Sequence, residues 1–152
     1  MAGWTNRGKY NTLAEKYRAV AAPTNYYVAL VTSAVAPTAD SNLMSDHTEI
    51  AAGNGYTSGG IQLARNAIDF DVLTEDDVND RALVQVKDVV WTAAGGPIPV
   101  SGSGARYALL TDDNVTVGSR EVDAYWDLGA DRSVSDGQTL TLQNLESRIN
   151  EV

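Results

Sequence analysis

The sequence predicts a mainly β protein: a single-domain β-sandwich, jelly-roll-like, with one short N-terminal helix. Three observations carry this. Segments with a period of two dominate residues 25–143. These segments are short, rich in Val, Tyr, Trp and Thr, and separated by clusters of Gly, Pro, Asn and Asp. A length of 152 residues with no linker and no internal repeat fits one domain with a self-sufficient core. The expected division is an N-terminal arm and helix over 1–24, the sandwich over 25–145 and a polar tail over 146–152.

The helix is predicted within residues 6–21. Tyr10, Leu13, Ala14, Tyr17, Val20 and Ala21 recur at helical spacing on one face. Thr12 and Glu15 have capping-box spacing, so the helix starts either there or at Asn6. Gly8 weakens the earlier start. Pro23 forbids continuation. Asn25–Thr32 then reads as a strand, 33–42 as a loop, 43–51 as a segment with room for one helical turn, and 53–60 (GNGYTSGG) as turn chemistry. Residues 61–72 read as an interrupted strand. Residues 82–92 (ALVQVKDVVWT) read as one strand covered on both faces. The Gly/Pro/Ser loop 93–104 carries apolar Ile98 and Val100, which implies that it packs against something. Strands are predicted at 105–111, 120–128 and 138–143. In 120–128, Val122, Ala124, Trp126 and Leu128 point inward, and Glu121, Asp123, Tyr125 and Asp127 point outward.

Composition narrows the chemistry. There is no cysteine, which removes disulfides, thiolate metal sites and Cys nucleophiles. A single histidine, His47, removes His-rich metal sites and leaves one base for any triad. No G-x-S-x-G elbow accompanies it, so His47 reads as a polar loop residue and no catalysis is expected. The net charge is −9, which repels phosphate backbones and argues against nucleic acid as a partner. No apolar run approaches the roughly 20 residues that span a bilayer, and no membrane partner is expected. The acidic run Asp69, Asp71, Glu75, Asp76, Asp77 and Asp80 lacks the EF-hand pattern and reads as a solvated loop, as Asp112 and Asp113 read as a turn. Neither Gly53-Asn54-Gly55 nor Gly102-Ser103-Gly104 opens a helical pattern, so no phosphate-binding loop and no cofactor are expected.

The N-terminal segment differs from the rest. Arg7, Lys9, Lys16 and Arg18 place four of the 11 basic residues within the first 18 positions of an acidic chain. Trp91 and Trp126 lie in apolar strand faces and read as core. Trp4 either folds back on the domain or docks on a partner. The residues expected to make partner or subunit contacts are Trp4, Arg7, Tyr10, Ile98 and Val100.

Residues 25–65, NYYVALVTSAVAPTADSNLMSDHTEIAAGNGYTSGGIQLAR, resemble small virion structural proteins of tailed bacteriophages. The likeness continues through DVLTEDD, VQVKDVVWTA, GGPIPVSGSGARYALLTDDN, REVDAYWDLG and SDGQTLTL. It implies a capsid decoration (cement) protein that binds the major capsid protein over capsomer seams, with Trp4, Arg7, Tyr10, Ile98 and Val100 as the capsid or subunit contacts. It also implies a virion location, assembly in the host cytoplasm, and self-association as a dimer or trimer in many copies. The alternative is a tail, neck or tail-fibre component, including a receptor- or carbohydrate-binding β-module. The aromatics fall in strands and the helix rather than around a groove, which favours the structural role. The family brings no catalytic residues.

Overall fold

The computed structural model describes residues 2–150. In chain order the elements are β1 (Ala2–Trp4), α1 (Asn6–Arg18), β2 (Asn25–Val31), β3 (Ile61–Ala64), β4 (Val72–Asp76), β5 (Arg81–Val86), β6 (Val89–Thr92), β7 (Ala105–Thr111), β8 (Val122–Arg132), β9 (Thr139–Leu142) and β10 (Leu145–Asn150). Single 3₁₀ turns at Met44–Asp46 and Val117–Ser119 interrupt the loops. The protein is mainly β with one helix near its N-terminus, and among the described residues all strand pairs are antiparallel.

Five strands in the order β1-β8-β7-β2-β3 make one layer. Strands β10-β5-β4 and β6-β9 make the layer packed against it. Inward residues of both layers share one core, with Val28, Leu30, Leu63, Ala108, Leu110, Ala124 and Trp126 facing Val86, Val89, Trp91, Leu140, Leu142 and Leu145. Each fully buried Leu or Ile, such as Leu30, Leu63 and Ile98, contributes about 1.5–3 kcal/mol by leaving water. The Trp126 indole N–H donates to the Glu146 carbonyl at 2.7 Å, tying the layers together. All of Val28–Val31 is buried, because β2 is covered on both faces. Ala29 and Val31 enter a smaller cluster with Met44, Leu109 and Val122 on the outer side of the sheet.

The strand expected over 82–92 divides at Lys87–Asp88 into β5 and β6. The ladder keeps one register through the break. Val86 faces Leu145 and, three residues on, Val89 faces Leu142. Lys87 turns aside: its N–H donates to the Asp69 carbonyl at 3.0 Å and its Nζ lies 2.5 Å from the Asp69 carboxylate. Opposite, Asn144 has φ 55° and Gln143 donates to Asp88 at 2.8 Å. This kink lets Val86 and Val89 both face the core although an unbroken pleat would put them on opposite faces.

β8 also departs from simple alternation. Leu110 pairs with Ala124, but the next β7 residue, Thr111, pairs with Val122, so Asp123 is an extra residue. This β-bulge sends Val122 to the outer cluster and Ala124 to the inner core. Asp123, expected to face solvent, is buried where α1 crosses the strand.

Three further expectations change. The acidic run is a loop only in part: Val72–Asp76 pairs with β5 and takes in Glu75 and Asp76, because a strand needs only backbone partners, while Asp69 and Asp71 precede it and Asp77 and Asp80 lie in the turn that follows. The tail from Glu146 is strand β10 as far as Asn150, with Ser147 buried; Glu151 and Val152 lie outside the described residues. His47 is buried and its Nδ1 lies 3.1 Å from the Val35 carbonyl, so it anchors the 33–42 loop rather than standing in solvent.

Candidate docking face on the N-terminal helix

α1 starts at Asn6, not at Thr12. Thr5 is the N-cap: its Oγ1 accepts the Gly8 N–H at 2.9 Å and donates to the Val122 carbonyl. Thr12 instead bonds back to the Gly8 carbonyl at 2.9 Å. The helix ends at Arg18, before Pro23 is reached, because Ala19 adopts a left-handed cap with φ 54°.

The side that α1 turns to β8 carries small and polar residues. Gly8 and Ala14 are buried. Asn11 Nδ2 donates to Glu121 at 2.8 Å and to Asp123 at 3.1 Å. The apolar stripe therefore faces outward, apart from Ala14. Tyr10, Leu13 and Tyr17 are 58%, 57% and 71% exposed, and Val20 continues the line. Leu13 and Lys9 also wall a cavity of about 530 Å³ with Gly3, Trp4, Arg148 and Ile149. Ile149, half exposed at the end of β10, extends the apolar surface beyond the helix.

Basic groups rim this surface. Lys16 Nζ sits 5.6 Å from the centre of the Tyr17 ring, and the Arg7 guanidinium 5.8 Å from that of Tyr10. Arg7 also reaches Glu121 at 3.6 Å. Lys16 and Arg18 occupy the last turn, where cations suit the helix dipole.

The five residues singled out by sequence do not form one surface. Arg7 and Tyr10 lie on the helix. Trp4 folds back: it is half-buried in edge strand β1, opposite Ala124, with its indole Nε1 buried and unpaired. Ile98 is fully buried and bridged to Val134, so it belongs to the core and offers no surface. Val100 is exposed, in the loop beyond the other end of β8 from α1. Leu13, Tyr17 and Ile149 were not singled out. The first two were visible as helical spacing, but the closeness of Gly8 to Asp123, which decides the facing, was not.

Asp123 is the most perturbed acid beside this face. Burial pushes its carboxyl up to about 7; the bond from Asn11 opposes the shift, and the nearby charges of Glu15, Asp112 and Glu121 add to it. Asp112 is raised too, first by burial. Among the described residues, no three His, Asp or Glu side chains converge as a metal site, and no helix is long and apolar enough to cross a membrane. No family model matches the chain, and no curated protein or solved structure is significantly similar to it.

Proposed function

We propose that the protein is a structural component of a tailed-bacteriophage virion. In this reading it is a capsid decoration protein that docks on the outer shell and adds contacts between capsomers. The observation that carries the reading is the apolar stripe of α1, exposed and edged by bases on a chain of net charge −9. Monomeric surfaces rarely expose such contiguous patches unless something covers them. The partner is the major capsid protein, met at an acidic strip that complements Lys9, Lys16, Arg18 and Arg148. The resemblance of residues 25–65 to phage virion proteins supports the choice of partner. The sandwich suits the task, since a rigid body loses little entropy on docking. Copies act as a dimer or trimer, many per particle.

The test is a sedimentation binding assay with bare capsids. Buried aromatic and aliphatic anchors often cost about 2 kcal/mol when removed, or about thirtyfold in affinity. Leu13→Glu combined with Tyr17→Glu is expected to weaken binding by at least that factor. The melting temperature should hold, because both side chains already face solvent. Equal binding by variant and parent removes the α1 face from the interface. A map of the particle with only a few copies at the tail or neck removes the decoration role.

A further inference from the structure

A second cavity, of about 420 Å³, lies on the other side of Trp4 at the end of the sandwich. Its volume falls within the roughly 300–1,000 Å³ typical of small-molecule sites. Both layers and the helix build it: Tyr26 from β2, Leu110 from β7 and Asp123 from β8, with Phe70 before β4, Glu15 on α1 and Trp4 on β1. We propose that this cavity binds an alkylammonium group, received by Asp123 and enclosed by the aromatic walls.

Three features favour that chemistry. The walls are aromatic: Tyr26 and Phe70 meet edge to face at 5.8 Å, and the Trp4 ring closes another side. Aromatic faces attract cations. Leu110 supplies an apolar surface for an alkyl chain. Two carboxylates, Asp123 and Glu15, line the same space, and among the described residues neither forms an ion pair. A buried carboxylate without a cation is costly, so a cationic guest gains what the protein alone does not supply.

The remaining acceptor geometry selects among cations. Asn11 already occupies Asp123 Oδ1. One carboxylate oxygen is left, which suits a compact ammonium donor better than the two-pronged fork of a guanidinium. Arg65, the cation on the cavity wall, directs Nη1 to the Pro23 carbonyl at 3.2 Å instead. An anion would meet both carboxylates and is disfavoured.

Protonation adds a second signature. The groups facing Asp123 are Asn11 and Glu15 on α1, Glu121 just before β8, Asp112 after β7, and Tyr26 and Arg65 across the cavity. With its carboxyl near 7, Asp123 is mostly ionised at pH 8 and mostly protonated at pH 5.5. A cation that needs the carboxylate should therefore bind about thirtyfold more weakly at the lower pH.

The probe is n-butylammonium, titrated into the protein and followed by nuclear magnetic resonance at the Trp4 indole N–H. 1-Butanol, which exchanges the charge for a hydroxyl, is the comparison. At pH 8 the cation should bind at least tenfold more tightly than the alcohol, and the preference should vanish at pH 5.5. Asp123→Asn keeps the shape and an acceptor oxygen for Asn11 while removing the charge, and it should abolish the preference at both pH values. The proposal is overturned by an absence of saturable n-butylammonium binding, by equal binding of the alcohol, or by a preference that survives in Asp123→Asn.

Discussion

Gly8→Ala isolates what holds α1 on the sheet. On helix propensity alone the change is favourable by about 1 kcal/mol, since glycine is a poor interior helix residue. The packing argues the opposite. A methyl group at Gly8 would lie 2.6 Å from Asp123 Cα and nearer still to the Asp123 carbonyl oxygen, whereas ordinary contact begins near 3.4 Å. Both obstacles are backbone, so no side chain can swing away. The helix must lift by about 0.8 Å or more, the gap between those two distances. That movement stretches the Asn11 bonds to Glu121 and Asp123, of 2.8 and 3.1 Å, and strains the Thr5 cap on Val122. Overpacking costs about 1–3 kcal/mol and each weakened hydrogen bond about 1 kcal/mol. After the propensity gain, the net expectation is a loss of about 2 kcal/mol, or roughly 4–8 °C in melting temperature for a chain of this size. Urea denaturation of variant and parent measures it. A Gly8→Ala protein as stable as its parent, or more so, would refute the account of α1 docking.

Other outcomes follow from single side chains. Arg120 is buried, donates to the Asn114 and Gly59 carbonyls at 3.0 Å each, and sits 3.7 Å over the centre of the Tyr27 ring. Arg120→Ala should cost about 3 kcal/mol in urea denaturation, and Arg120→Lys should recover less than half, because an ammonium cannot serve both carbonyls from the ring face. Asp123 has a raised folded pKa, so the folded state binds the extra proton between about pH 4 and 7, and its contribution to stability is lost as pH rises through that window. Asp123→Asn should therefore gain melting temperature relative to the parent between pH 5 and pH 8; a difference that does not change with pH contradicts the burial of the carboxyl. His47→Ala loses the tie to Val35 and should cost about 1 kcal/mol, seen as faster amide exchange in the 33–42 loop. Unchanged exchange there would return His47 to a passive role.

The layered β architecture was legible because alternation and turn chemistry are local. Val28 with Leu30, and Ala124 with Trp126, reach the core as the two-residue period requires. What stayed hidden depends on neighbours far away in sequence. The bulge at Asp123 exists only relative to the register of β7. Spacing alone does not decide the facing of α1: a stripe of Tyr, Leu and Val marks an apolar face whether the sheet or a partner covers it. A close backbone approach, however, needs the small residues on the inside. Strand β4 was hidden by its charge and β10 by its polarity, since pairing satisfies backbone groups whatever the side chains. In the candidate docking face, Tyr10 and Arg7 were identifiable from helical spacing and charge. Ile149 was not, because it meets the helix residues only where β10 comes beside β1, far away in sequence.

The cap at Thr5 also sets an order of events during synthesis. Its partner at Val122 lies 117 positions later in the chain. A ribosome adding about 5–20 residues per second needs roughly 6–23 s to reach it. Until then α1, with 13 residues, is near the length at which a lone helix is marginal in water, and β1 has no strand to pair with. The outward stripe of Tyr10, Leu13 and Tyr17 acquires its fixed spacing only when β8 is in place. A nascent chain therefore presents these side chains in no fixed arrangement, and a partner that reads them as a helical face meets finished molecules only.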